Sequence, residues 1–282
     1  MSLKETLDEL NNNRWQGKAA QLLSNQIAAY IICDINNSNS TAGARRVVQS
    51  IIDTDSNLMP VIVPATTPET LKRDLRIFGL EKKDWKYPRK GEKRIDFTTG
   101  LHLTGYGAND IEKVISCMVS HMRCWMFSMA TQFPSIVLEH DALFVKRFNA
   151  FENIEKDQPD KYEVLNSLGI VGLNNPKGAT RKASVYYDEV LKLNELRGRK
   201  FSGYKAVDVP WVDDNKDAPQ GLAGNSAYYI TNKMAHKLLR KIQEVGIWPN
   251  DALMCKQLFP NQIKQIYPFV TELQGIKSTT QG

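Results

Sequence analysis

Apolar residues follow two rhythms along this chain, and the rhythms alternate. Residues 28–35, AAYIICDI, form a short apolar run that ends in the turn formers NNSNSTAG. A run bounded in this way predicts a strand. ARRVVQSIID, residues 44–53, has helical spacing, and MPVIVPA, residues 59–65, predicts a second strand. TPETLKRDLRIFGL opens with a helix-start signal in Thr67, Pro68 and Glu69. This alternation predicts an α/β fold with a mostly parallel sheet flanked by helices.

The clearest helix spans residues 110–133. Ile111, Val114, Ile115, Met118, Met122, Trp125, Met126 and Met129 recur at spacings of three and four. The methionines are expected to fill core rather than to form a cofactor box. Pro134 closes the helix, SIVL (135–138) predicts a buried strand, and Glu139-His140-Asp141 stands directly at its C-terminal end. Further on, residues 162–173 contain another strand and 174–210 read as loop, with basic clusters at 177–182 and 197–205. SAYYI (226–230) predicts a strand, and helices start at Thr231 and at Pro249-Asn250-Asp251. Residues 1–26 read as an N-terminal helical extension, 27–275 as one domain, and 276–282 as a polar tail.

Composition narrows the class. A chain of 282 residues can build a substantial core. No apolar run approaches the roughly 18 residues that cross a bilayer, and the polar N-terminus lacks the pattern of a secretory signal. A cytoplasmic protein is expected. Cys33, Cys117, Cys124 and Cys255 are scattered without a C-x-x-C pair, which argues against a zinc site or a disulfide framework. The net charge of +6 points to a polyanionic partner: nucleic acid, phosphorylated glycolipid or an anionic membrane face. Residues 81–94 concentrate it, with seven basic and three acidic residues, a net of +4, and Trp85 and Tyr87 among the bases. The segment reads either as a solvated loop or as an electrostatic and stacking surface formed by Trp85, Lys86, Tyr87, Arg89 and Lys90.

In a parallel sheet, ligands sit outside the carboxyl ends of the strands. Glu139 and Asp141 lie at such an end, and two carboxylates one residue apart suit a hard cation, Mg2+ or Mn2+, bridging to a diphosphate. The pattern E-x-D alone is also what a merely solvated strand end looks like.

The stretch from Glu112 to Phe144 resembles the signature of glycosyltransferase family 25, a group that includes lipopolysaccharide-core sugar transferases and collagen galactosyltransferases. Cys117, Ser120 and His121 match its helix motif, with Ser116 where the family usually has glycine. Glu139 and Asp141 match its acidic motif, with His140 in place of the middle acid. Leu168 and Gly169 match a second block. Gly224, Ala227, Tyr228 and Ile230 match a third, and Pro249 and Asp251 match the element after it. At the amino-terminal end Asn36 and Arg45 are the counterparts, at a spacing about two residues longer.

The resemblance implies a GT-A fold with a Rossmann-like sheet, a nucleotide-sugar donor (a UDP-sugar first) and Mn2+ or Mg2+ at Glu139 and Asp141. It implies donor contacts from Asn36, Arg45, Ser120, His121 and Gly224, and Asp251 as the base that takes the acceptor proton. Asp251 reads equally as a helix N-terminal acid, and His121 as a hydrogen-bonded core residue. Two acceptors compete: DNA carrying a hydroxymethylated base, favoured slightly by the basic and aromatic loops, and lipopolysaccharide or another glycan. A non-catalytic nucleic-acid-binding protein on a degenerate transferase fold is the third reading.

Overall fold

The computed structural model describes residues 26–105, 107–151, 167–176, 181–197, 199–201 and 203–275. The expected N-terminal helix, the polar tail, the start of the 162–173 segment and most of the basic cluster at 177–182 lie outside the described residues. So do two positions of the cluster at 197–205.

The first half follows the alternation. Strand β1 (Ile27–Cys33) leads to helix α1 (Ser38–Asp53), then to β2 (Leu58–Pro64) and α2 (Leu71–Ile77). Asn37 caps α1 by accepting from the amides of Asn39 and Ser40. A 3-10 turn (Lys82–Asp84) and a hairpin, β3 (Lys93–Ile95) with β4 (His102–Thr104), follow. Asp110 caps the long helix α3 (Ile111–Thr131), and β5 (Ser135–Glu139) and β6 (Ala142–Phe144) come next. The second half holds β7 (Ile170–Gly172), α4 (Arg181–Arg197), β8 (Arg199–Phe201) and β9 (Tyr204–Asp208). It ends with β10 (Ala227–Ile230), α5 (Asn232–Val245), the single turn α6 (Asn250–Leu253), β11 (Ile263–Tyr267) and β12 (Thr271–Leu273).

Eight strands form the central sheet in the order β2-β1-β5-β10-β7-β11-β9-β8. β2, β1 and β5 are parallel neighbours, as are β7 and β11; β10 and β9 run against their neighbours. The sheet is therefore mixed, with six strands in one direction. All seven residues of β1 are buried, and alternate side chains enter separate cores on the two faces: Tyr30 and Ile32 on one, Ala29, Ile31 and Cys33 on the other. A strand covered on both faces reads as a continuous apolar run, which is why it was legible. Met118 and Met122 are buried in the core, as their helical spacing implies.

Two expectations fail. Residues 174–210 are not loop: they hold α4, β8 and β9. Along α4 the buried positions Ala183, Tyr186 and Val190 are separated by mostly polar neighbours, so the apolar stripe is too thin to stand out. The segment 81–94 is not a free loop either. Trp85 pairs with Ile247 in a parallel bridge, and the amide of Lys86 donates to the Ile247 carbonyl at 3.1 Å.

Candidate active site

The insertion of β10 between β5 and β7 builds the site. Because β10 runs antiparallel, its N-terminal end lies at the same sheet edge as the C-terminal end of β5. The Glu139 amide donates to the Ser226 carbonyl at 2.7 Å, which sets Gly224–Ser226 beside the acidic motif. Gly221 locks the next strand of chain. A Cβ there would stand 2.0 Å from the Met254 carbonyl, so only glycine lets this segment close on the turn that carries Asp251. Gly224, at φ +69°, makes the bend before Asn225 and accepts from the Asn174 amide.

His121 reaches the same edge from α3. Its Nδ1 lies 2.8 Å from the Tyr228 hydroxyl, and its Nε2 lies 3.3 Å from Glu139 Oε1. Trp125, one helical turn further on, donates its indole N–H to the same hydroxyl at 2.8 Å. One assignment of protons satisfies every group. Trp125 donates to Tyr228, Tyr228 donates to Nδ1, and the Nε2–H donates to the Glu139 carboxylate. The chain of bonds orients one carboxylate oxygen inward. Trp125, Tyr228 and His121 are fully buried, whereas the Glu139 side chain is about a third exposed at 32%.

Tyr228→Phe should leave the Trp125 N–H and His121 Nδ1 without partners. Two buried groups left unpaired should cost about 1–3 kcal/mol, seen as a lower urea midpoint at unchanged m-value. A midpoint equal to wild type would show that the hydroxyl carries no such load.

Around this frame the acids converge. Burial first, and the Glu139 charge second, push the Asp141 carboxyl up to about 7. Its Oδ1 is buried and has no hydrogen-bond partner among the described residues. Asn225 Oδ1 and Nδ2 and Ser226 Oγ, on the facing segment, are buried and unpartnered in the same way. A buried carboxylate oxygen with nothing to satisfy it fits a cation site, because a divalent ion would reverse both penalties. Asp251 stands on α6, its Oδ1 accepting from the Ala252 amide at 2.9 Å. The residue is solvent-accessible, with protein packed around it. Burial pushes its carboxyl up, Glu139 adds to the rise, and His121 opposes it. Cys117 lies in the same field: burial and the charges of Glu139, Asp251 and Asp141 all hold its thiol proton in place.

Other expected site residues fare unevenly. Ser120 is buried, donates to the Ser116 carbonyl at 2.9 Å and accepts from the Thr66 amide at 2.9 Å, so its hydroxyl joins α3 to the chain just after β2. Asn36 lies exposed in the turn after β1, at the correct sheet edge. Arg45 stands exposed on α1, and no hydrogen bond or ion pair joins it to the acids among the described residues. His140 is buried, and burial holds its ring below the usual histidine range, so the middle position of the motif is neutral and faces inward.

The aromatic part of the basic segment is corrected. Tyr87 is buried edge-on against Trp248, with ring centroids 5.6 Å apart, and cannot stack on a base. Trp85 is half-buried and packs on Tyr87. Lys86, Arg89 and Lys90 are exposed. Tyr228, Trp125 and Asn225 belong to the site and were not singled out as site residues. The spacing of Trp125 four residues after His121 is the available signal for Trp125, and the third motif block is the one for Tyr228.

Residues 82–254 match the family model of glycosyltransferase family 25 (LPS biosynthesis protein). No curated protein matches the chain. Among solved structures, mouse xyloside xylosyltransferase 1 in its apo form is similar at 9% identity, over 84% of this chain and 83% of that one, with a TM-score of 0.35. None of the helices described is long and apolar enough to cross a membrane. With its acidic strand end, its His121 and its Asp251 all inside the matched span, the chain belongs to glycosyltransferase family 25 and is a glycosyltransferase.

Proposed function

We propose that this enzyme transfers a sugar from a nucleotide-sugar donor to a hydroxyl of a phosphorylated glycan, with a divalent cation at Asp141 and Glu139. The observation that carries the reading is the buried, unpartnered Asp141 oxygen at a strand end whose neighbour is the segment that bears Asn225, with Asp251 in the same electrostatic field. Mg2+ or Mn2+ suits these oxygen ligands and supplies charge neutralisation for the leaving diphosphate. His121 orients Glu139, and the Asn225 amide is placed to hydrogen-bond the donor. Asp251 takes the acceptor proton, and its raised affinity for protons suits a general base.

The family description supports a glycan acceptor, and the burial of Tyr87 takes away a stacking ring that favoured DNA. Hydroxymethylated DNA stays as the second reading because Lys86, Arg89, Lys93 and Arg94 have no ion pair among the described residues and suit phosphates of either kind. A cytoplasmic location and a UDP-sugar donor complete the proposal.

Intact-mass analysis of both acceptor classes after incubation with a nucleotide-sugar panel and Mn2+ tests it. A hexose or pentose increment on the glycan, absent in EDTA, is expected. An increment on hydroxymethylated DNA alone would replace the acceptor reading, and full transfer in EDTA would remove the metal. Neutralising Lys86, Arg89 and Lys90 together should raise KM for the anionic acceptor and weaken its salt dependence, with donor KM unchanged. If the acceptor is duplex DNA, each lost phosphate contact should flatten the log–log salt slope by about 0.9.

A further inference from the structure

We propose that Cys117, His121 and Glu139 form a site for a soft divalent cation, zinc above all, beside the acidic end of β5. Cys117 and His121 lie four residues apart on α3, so they share one face of the helix. Glu139 meets them from the end of β5. The sulfur, a ring nitrogen and a carboxylate oxygen all lie within 4.8 Å of one another. Zinc bonds of about 2.0–2.3 Å in tetrahedral geometry hold ligand atoms roughly 3.5 Å apart, a gap that small side-chain rotations close. Of the four cysteines, Cys117 is the one not fully buried, so an ion can reach it.

The surroundings fit a cation. Asp141 and Asp251 add negative charge around the thiol. On binding, the thiol proton leaves to solvent and the metal takes its place on sulfur. His121 then ligates through Nε2 and moves its proton to Nδ1, which donates to the Tyr228 oxygen 2.8 Å away in exchange for the bond that the Tyr228 O–H gave it. A hydrogen-bonded outer partner of this kind is what orients a ligating imidazole. A sulfur–nitrogen–oxygen set selects zinc over magnesium or manganese, which prefer oxygen alone. Glu139 serves both sites. Zinc beside Cys117 withdraws it from the cation at Asp141, so zinc inhibits transfer. That inhibition rests on the proposed function, whereas the binding itself does not.

Co2+ added to the full chain reports the ligand sulfur directly. A thiolate-to-cobalt charge-transfer band is expected for the wild type and should vanish in Cys117→Ser. Zinc affinity, read by competition with a chromophoric chelator, should fall roughly tenfold or more in Cys117→Ser and in His121→Gln. A measurement on the wild type alone guards against a misfolded variant. N-ethylmaleimide labelling of Cys117, read by peptide mass mapping, should be slowed by Zn2+ and not by Mg2+. No cobalt band, a band retained in Cys117→Ser, or labelling indifferent to zinc would each overturn the site. None of these readouts requires sugar transfer, so a failure of the proposed reaction is separable from a failure of the site.

Discussion

Asp141→Asn is expected to cut sugar transfer by roughly 10²–10³-fold and to make the metal-free protein more stable at pH 8. The first effect follows from losing a charged ligand of the cation that supports the leaving diphosphate, at about 3–4 kcal/mol for a preorganised electrostatic contact. The second follows from linkage. The carboxyl binds its proton up to about pH 7 in the folded protein, against about 3.9 in an unfolded chain. Between those values the folded state holds a proton that the unfolded state has released. This group's contribution to stability therefore falls as pH rises from about 4 to about 7 and stays low above it. An amide at the same position has no charge to bury. In EDTA, the variant should melt above wild type at pH 8, with the difference closing towards pH 4. With Mn2+ added, only the wild type should gain. Thermal melts across pH, with and without metal, check this. A variant that is destabilised at pH 8, or that transfers normally, would show that Asp141 holds the fold rather than a cation.

Asp251→Asn should lower kcat by roughly 10²-fold or more, the scale of a lost general base, while donor affinity stays within about twofold. The substitution keeps the size of the side chain and the acceptor oxygen that bonds the Ala252 amide, so the turn should persist. Because burial and Glu139 raise the carboxyl, the wild-type rate should fall on the acid side at a pH above that of a free carboxylate. The inflection should disappear from the residual rate of the variant. Steady-state kinetics with donor binding by calorimetry decide the matter. Weaker donor binding at unchanged kcat would make Asp251 a binding residue.

The pairing of one functional loss with one stability gain separates roles that a single alanine scan confuses. Two buried polar residues away from the acids, Ser120 and Asp74, are satisfied within the fold. Ser120 gives and receives a hydrogen bond. Asp74, buried between α2 and α3, is pushed up by burial, but bonds from Arg73 and Thr66 and the charge of Arg123 outweigh this and leave it below the usual carboxylate range. Asp141 and Asn225 lack such partners. Among the buried groups left unsatisfied, those of Asp141, Asn225 and Ser226 cluster at the acidic strand end, where a ligand would meet them.

What the sequence determined by itself was local. Short-range periodicity marked β1, β2, α3, β5 and β10, because each covers a buried face with unbroken apolar spacing. It marked Glu139 and Asp141 as a pair at a strand end, and ordered motifs carried Asp251 and His121. It could not show α4, whose apolar stripe is thin, nor the direction of β10, since an isolated strand carries no sign of which way its neighbours run. Tertiary structure decided what each marked residue does. Antiparallel β10 sets the Ser226 carbonyl on the Glu139 amide and the Tyr228 hydroxyl on His121, from about ninety residues or more away in the chain. Ser120 and His121 are adjacent in sequence, yet helical geometry turns one into the scaffold and the other towards the acids. Tyr87 looked like a stacking ring in a basic loop and became core, because the bridge from Trp85 to Ile247 folds that loop back onto Trp248. Contacts between distant segments have no local signature, so burial, pairing and the field around a carboxylate exist only once the chain has closed on itself.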